Sequence, residues 1–131
     1  MSDWRPRLIA SDMDGTLLRW DETVSEATLA ELDRWRADGV PFVLATGLAV
    51  ALEHHGVDPA DVLVFGDMPN DLPMIEWVQA AGGRAVAVAN AHPSVRAATP
   101  EVTSGHEVDG VARYLEAVVL NGAIDGGRAG V

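Results

Sequence analysis

Two aspartates one residue apart, Asp12 and Asp14, follow directly after the short apolar run 8–10. Side chains alternate along a strand, so both carboxylates can face one side while Met13 points away. Gly15 allows the chain to turn at once. Open α/β sheets bind ligands at the carboxyl ends of their strands, and paired carboxylates suit a hard cation such as Mg²⁺. The stretch therefore predicts a metal site, although Asp-Gly is also ordinary turn chemistry.

A second acidic cluster follows another apolar run, residues 62–65. Gly66 comes next, and Asp67, Asn70 and Asp71 lie at the predicted turn from strand to helix. Taken alone, these acids suit a helix N-terminus, where the helix dipole favours negative charge. Taken together with the first pair, they predict four carboxylates that converge in one cleft.

The composition predicts one globular domain. The chain has 131 residues, of which 48% are hydrophobic and 22% charged, and it contains no cysteine. That length supports one core, and the missing cysteines exclude disulfides and thiol chemistry. Nine arginines, no lysine and 20 acidic residues give a net charge of −11, which argues against a nucleic-acid partner. No signal segment precedes Leu8 and no apolar run could span a membrane, so we expect a cytoplasmic protein with no membrane partner.

Apolar runs and helical patterns alternate along the rest of the chain, and this alternation predicts a doubly wound parallel sheet of the α/β class. Residues 46–60 are enough for a right-handed crossover between parallel strands. The predicted strand order is therefore 84–89, 62–65, 7–12, 41–45, with residues 101–103 as an edge strand. The predicted helices are 25–37, capped by Ser25, 48–55, 72–80, 93–98 and 108–120.

The sequence also predicts which helix faces are buried and where the last helix and the domain end. Leu29, Leu32 and Trp35 are predicted to form the buried face of the first helix, and Ile75, Val78 and Trp77 that of the 72–80 helix. Residues 19–23 are predicted to form a polar flap beside the site. We expect Asn121-Gly122 to end the last helix, residues 1–120 to form a single domain, and residues 121–131 to be a disordered tail.

Four segments in this order resemble the Cof-type branch of the haloacid dehalogenase-like (HAD) phosphohydrolases. The resemblance covers residues 7–120 and implies a Rossmann-like core that hydrolyses phosphomonoesters of the sugar- or cofactor-phosphate class with Mg²⁺. The segments are Asp-Met-Asp-Gly-Thr-Leu-Leu at 12–18, Ala-Thr-Gly at 45–47, Gly-Asp-Met-Pro-Asn-Asp at 66–71 and Ala-Val-Ala-Asn-Ala-His-Pro at 87–93.

The resemblance also implies a role for each residue of the site. Asp12 would be the nucleophile and Asp14 the general acid/base, and Thr16 would steady the turn. The phosphate ligands would be Thr46, Gly47 and Asn70, and Thr46 could equally cap the next helix. The implied metal site comprises Asp12, Asp14, Asp67 and Asp71.

The chain departs from this branch between its second and fourth motifs. Members of the branch carry a further helix and strand there, followed by a large cap domain and a lysine. In this chain residues 45–47 lead straight into residues 48–52. Leu44 takes the position that aligns with the lysine. We therefore expect a capless core and slow catalysis. The alternatives are a non-catalytic remnant that binds Mg²⁺ or a partner, and phosphotransfer without hydrolysis. The 41–45 strand becomes a sheet edge, which predicts a homodimer or aggregation through that edge.

Overall fold

The computed structural model describes residues 4–17, 21 and 23–122, which form one five-stranded sheet with helices on both faces. The strands are β1 (Leu8–Ser11), β2 (Phe42–Leu44), β3 (Val62–Gly66), β4 (Arg84–Val88) and β5 (Glu101–Thr103). The helices are α1 (Glu26–Ala37), α2 (Leu48–His55), α3 (Leu72–Ala80), α4 (Pro93–Ala98) and α5 (Gly110–Gly122).

The sheet is parallel throughout and has the order β2-β1-β3-β4-β5, which confirms the predicted fold class and strand order. Ser11 is in register with Leu44 on one side and Phe65 on the other, so β1, β2 and β3 end at the same level. The chain passes from β2 over β1 to β3 through α2. No cap domain interrupts residues 23–122, which the structure describes without a gap.

Both faces of the sheet are buried, as expected of parallel strands covered by helices. One core joins strand residues such as Leu8 and Val64 to helices α2, α3 and α4. The other joins Ile9 and Phe65 to α1 and α5, where Trp35 is its largest member. Because side chains alternate along β1 and β3, each of these strands contributes residues to both cores.

Helix α1 has the predicted ends but not the predicted buried face. The Ser25 hydroxyl accepts the Thr28 N–H at 3.1 Å, and Gly39 ends the helix at a φ of +85°. Trp35 is buried and Leu32 partly buried as predicted, but Leu29 is 51% exposed. The buried positions are Thr28, Glu31 and Trp35.

The carboxylate of Glu31 is buried because it has partners within the same helix. It accepts the Trp35 indole N–H at 3.2 Å and a hydrogen bond from Arg34 at 2.6 Å. In α3 the prediction for Trp77 is also wrong, since it is 46% exposed, whereas Ile75 and Val78 are buried against the sheet. Trp77 lies two residues from Ile75, on the opposite side of a helix with 3.6 residues per turn.

The last helix is longer than predicted. Helix α5 continues through Asn121 and Gly122, and a glycine there weakens a helix without having to end it. The predicted disordered tail beyond residue 122 and residues 19, 20 and 22 of the predicted flap lie outside the described residues. The extent of the domain, 1–120, stays a prediction. None of the described helices is both long and apolar enough to cross a membrane.

Candidate active site

Asp12 is the first residue after β1 and is fixed by the backbone around it. Its N–H donates to the Phe65 carbonyl at 3.2 Å, which extends the pairing with β3 by one residue. The Met13 N–H donates to Asp12 Oδ1 at 2.9 Å, and the Ser11 hydroxyl donates to the Asp12 carbonyl oxygen at 2.7 Å. The carboxylate therefore stands at the carboxyl edge of a central strand in a defined orientation.

Asp67 and Asp71 are held by a tight turn after β3. Asp71 Oδ2 accepts the Asp67 N–H at 3.1 Å and the Met68 N–H at 3.2 Å, and both aspartates are buried. A Cβ atom on Gly66 would lie only 2.9 Å from Asp71 Oδ2. The glycine that precedes the acids therefore makes room for the side chain that closes the turn.

The three aspartates converge in a single cluster. Asp12, Asp67 and Asp71 each present one carboxylate oxygen, and these atoms lie within 4.8 Å of one another. Burial is the largest cause that raises the pKa of each carboxyl group, and Asp67 raises the pKa of Asp12 further. Asp67 Oδ1 and Thr16 Oγ1 are buried without a hydrogen-bond partner among the described residues.

These properties fit a bound cation. Carboxylates this close repel one another, and a buried charge with no partner is costly. Hard oxygen donors are what Mg²⁺ selects. The donor set and the unpartnered oxygen of Asp67 therefore fit the predicted magnesium site.

A cleft of about 180 Å³ opens beside the cluster. The predicted phosphate ligands Thr46 and Asn70 both line it and are exposed, but Gly47 is not among the lining residues. A Cβ on Gly47 would meet nothing within 4 Å, so the packing does not require a glycine there. Asp14 lies in the turn Met13–Leu17, and its catalytic role stays a prediction. The cleft is lined by Asp12, Ala45, Thr46, Asn70, Asp71 and Met74.

Two of the lining residues, Ala45 and Met74, were not predicted from the sequence. Ala45 directly follows β2, at the level where Asp12 follows β1. Met74 lies about one helical turn after Asn70 and Asp71, and this spacing could have indicated it. Both residues give the cleft an apolar wall beside its carboxylates.

Positive charge is scarce around this cleft. None of the arginines in the described ranges lines it; Arg36 pairs with Asp33 at 2.7 Å and Arg84 with Glu101 at 3.7 Å, for example. Leu44, at the position aligned with the lysine, lies in β2 and is 47% exposed. Arg19, the nearest arginine in sequence, lies outside the described residues.

The family model for "haloacid dehalogenase-like hydrolase" matches this chain at residues 9–51 and 47–115. The chain belongs to the haloacid dehalogenase-like hydrolases. The match fits the Cof-type branch predicted from the motifs, and it includes all three clustered aspartates. The two matched segments share residues 47–51, as expected if this stretch resembles two separate parts of the family and the cap region between them is missing.

Several curated relatives of this chain are named phosphatases. The chain is 45% identical to a phosphoglycolate phosphatase of Methanothermobacter thermautotrophicus over 70 residues, which cover 53% of this chain and 30% of that protein. It is 34% identical to a phosphoglycolate phosphatase of Haloarcula marismortui over 118 residues, which cover 88% of this chain and 49% of that protein. In the first curated relatives, the matched region spans only 19–30% of the full length.

A solved phosphatase structure shows the same fold over nearly the whole chain. It is the 3-deoxy-D-manno-octulosonate 8-phosphate phosphatase of Moraxella catarrhalis, in complex with magnesium, phosphate and the sugar acid. The TM-score is 0.71 at 16% identity, and the match covers 98% of this chain and 94% of that one. This chain therefore shares its fold with that phosphatase over nearly the whole length of both chains.

Proposed function

We propose that the chain is a Mg²⁺-dependent phosphomonoester hydrolase that acts through an aspartyl-phosphate on Asp12. The observation that carries this proposal is the convergence of carboxylate oxygens from Asp12, Asp67 and Asp71 within 4.8 Å at the carboxyl end of β1. Phosphatase relatives support a small phosphorylated metabolite, of the sugar- or cofactor-phosphate class, as substrate. A cytoplasmic location belongs to the same proposal, and a second copy of the chain is a further proposed partner.

The metal would be held by the carboxylates of Asp12 and Asp67 and by the backbone carbonyl of Asp14, with Asp71 completing the acidic cluster. When bound, Mg²⁺ would neutralise charge on the phosphoryl oxygens and act as a Lewis acid. Asp71 also stabilises the turn after β3, because its Oδ2 accepts hydrogen bonds from the N–H groups of Asp67 and Met68.

In the proposed reaction, an Asp12 carboxylate oxygen attacks phosphorus and the bond from phosphorus to the ester oxygen breaks. Asp14 gives its proton to the departing oxygen, then takes a proton from the water that hydrolyses the aspartyl-phosphate. Thr46 and Asn70, which line the cleft, and the backbone N–H of Gly47 would bind the other phosphoryl oxygens. Inorganic phosphate and the alcohol are the products.

We expect this catalysis to be slow because the cleft lacks a cation from the protein. Because Asp14 carries the proton that it gives to the departing oxygen, the aspartates at positions 12, 14, 67 and 71 carry three negative charges when the ester binds, and a divalent metal returns two positive ones. A dianionic ester must therefore approach a site that is still negative. Loss of one well-placed cation costs about 2–4 kcal/mol, or roughly 30- to 1000-fold in rate.

The test is release of phosphate from an aryl phosphate with and without Mg²⁺. We expect slow, metal-dependent release, abolished in Asp12→Asn. Asp33→Asn is the matched control, because it removes the same charge from an exposed position on α1. Unchanged release in Asp12→Asn would refute the proposed nucleophile, and a kcat/KM at or above about 10⁴ M⁻¹s⁻¹ would refute the charge analysis.

One observation favours a non-catalytic alternative: Leu44 stands where the branch has its lysine, and no described arginine lines the cleft instead. A chain of this kind would bind Mg²⁺, as seen by calorimetry, and release no phosphate. The third reading, phosphotransfer, predicts that a small phosphodonor labels Asp12 without release of phosphate. Mass spectrometry of the treated protein separates these outcomes.

A further inference from the structure

The cleft beside the acidic cluster carries charge of one sign only. Of its six lining residues, Asp12 and Asp71 are acidic and the other four are uncharged. The chain contains no lysine, and no arginine within the described residues lines the cleft. The described part of the protein therefore offers an incoming phosphate ester no positive charge of its own.

The negative charge that remains after metal binding lies at Asp71. Asp12 and Asp67 would be ligands of the metal, whereas Asp71 Oδ2 accepts the N–H groups of Asp67 and Met68 at 3.1 and 3.2 Å. These donors are neutral, so they stabilise the carboxylate without cancelling its charge. Since Asp71 also lines the cleft, a bound ester lies beside a negative charge that nothing in the lining compensates.

The lining of the cleft also includes an apolar wall. Ala45 and Met74 form it, and the Met74 side chain packs against the core that holds α2 and α3. Carbon groups of a substrate can contact this wall at no cost, whereas hydroxyl groups placed there would give up water without gaining a hydrogen-bond partner. The lining therefore suits an alcohol with a short hydrocarbon part better than a polyol.

We propose that the preferred substrate supplies the missing cation itself: it is a small phosphomonoester whose alcohol carries a protonated amine two or three carbons from the ester oxygen. This inference rests on the proposed function, because it specifies the alcohol that the same reaction releases with inorganic phosphate. The phosphoryl group lies at Asp12, the carbons lie against Ala45 and Met74, and the ammonium group faces Asp71. An alcohol that carries a carboxylate adds a further repulsion instead.

Three esters of similar size and different charge test the preference. They are 2-aminoethyl phosphate, propyl phosphate and 2-carboxyethyl phosphate, and the first two have the same number of non-hydrogen atoms. Two unit charges about 6 Å apart, at an effective dielectric constant of about 40, change an equilibrium constant roughly tenfold. We therefore expect kcat/KM for Mg²⁺-dependent phosphate release to fall roughly tenfold at each step of this series. The preference should decrease at about 1 M salt, where charges are screened within about 3 Å.

Two variants change the charge of the cleft in different ways. Asp71→Asn removes the negative charge and keeps an amide oxygen that can accept the N–H groups of the turn. Met74→Lys adds an ammonium group on a side chain of similar length, which can keep its stem against the core. In both variants the ratio of kcat/KM for 2-aminoethyl phosphate to that for propyl phosphate should fall roughly tenfold. This ratio cancels the intrinsic reactivity of the esters and any change in metal binding that affects both equally.

Val102→Lys is the matched control for the added charge. Val102 is 50% exposed on β5, three strands from β1 in the sheet, which is roughly 14 Å at the usual strand spacing. That distance exceeds the Debye length of about 10 Å at 0.1 M salt, so the ratio should stay unchanged in this variant. Circular dichroism checks that each variant is folded.

Two results would overturn this inference and leave the proposed function standing. One is equal kcat/KM for 2-aminoethyl phosphate and propyl phosphate in the unmodified chain. The other is a preference that Asp71→Asn, Met74→Lys and salt leave unchanged. Absence of phosphate release from all three esters and from an aryl phosphate would instead overturn the proposed function, and the inference with it. If one variant is unfolded or inactive, the other variant and the salt dependence decide.

Discussion

Gly66→Ala tests whether the turn that carries Asp67 depends on the fit between Gly66 and Asp71. The added Cβ would lie 2.9 Å from Asp71 Oδ2, 3.0 Å from its Cβ and 3.1 Å from its Cγ. To reach ordinary contact the Asp71 side chain must move by about 0.5 Å, and its hydrogen bonds to Asp67 and Met68 are already 3.1 and 3.2 Å long. A shift of that size directed along the bonds would take both beyond hydrogen-bonding distance.

Hydrogen bonds to a charged group contribute about 1.5–3 kcal/mol each, and alanine regains about 0.4–1 kcal/mol by restricting the unfolded chain. For the two bonds together we therefore expect Gly66→Ala to lower the free energy of unfolding by about 2–6 kcal/mol, measured by urea denaturation at constant m-value. Gly47→Ala is the control, because a Cβ there meets nothing within 4 Å, and it should be neutral or slightly stabilising.

A double-mutant cycle identifies the cause of the loss. In an Asp71→Gly background the three contacting atoms are gone, so the added cost of Gly66→Ala should vanish. A cost that persists in this background would show that another contact is responsible. Equal stability of Gly66→Ala and Gly47→Ala would refute the packing explanation altogether.

Three other predictions concern the metal, the single tyrosine and the buried glutamate. Mg²⁺ should raise the melting temperature by binding the folded state, and Asp67→Asn should remove most of that rise in differential scanning fluorimetry; an unchanged rise would place the metal elsewhere. Burial and, secondarily, Glu101 raise the pKa of Tyr114 to about 12. The free energy that the neutral phenol contributes to folding is therefore fully present below pH 10 and is lost as the pH rises through 12. Ultraviolet titration of this sole tyrosine should show that pKa, and Glu101→Gln should lower it only in part. Glu31→Ala should cost about 1–3 kcal/mol in urea denaturation because it leaves the buried Trp35 indole N–H without its acceptor, whereas Glu31→Gln, which keeps an acceptor, should cost less.

The order of β1 to β4 could be predicted from sequence because each of these strands is a short, mainly apolar run with a clear end. The aspartates after β1 and β3 mark two of those ends, and the length between β2 and β3 allows a single crossover. The buried face of α1 could not be predicted in the same way. Glu31 is buried because Trp35 and Arg34 donate to its carboxylate, and a hydropathy pattern assigns such a residue to solvent.

The site was predictable where backbone geometry fixes it. Asp12 and Asp67 each directly follow a strand, and parallel strands end at one edge, so their proximity follows from topology. The absence of Gly47 from the lining of the cleft could not be predicted. The phosphate-binding role of Thr46 and Gly47 came from the family motif, which does not specify how the two residues pack. Met74 was missed because a methionine in a helix is ordinarily read as core.

The central position of β1 has a consequence for the order in which the protein folds. β1 pairs with β2 about thirty residues later along the chain and with β3 about fifty residues later. During synthesis β1, α1 and β2 can associate before β3 has left the ribosome, and only the arrival of β3 brings Asp67 beside Asp12. We therefore expect the acidic cluster to form late in folding, so that its charge repulsion does not oppose the early steps. A cation that stabilises the cluster should slow unfolding and leave the folding rate almost unchanged.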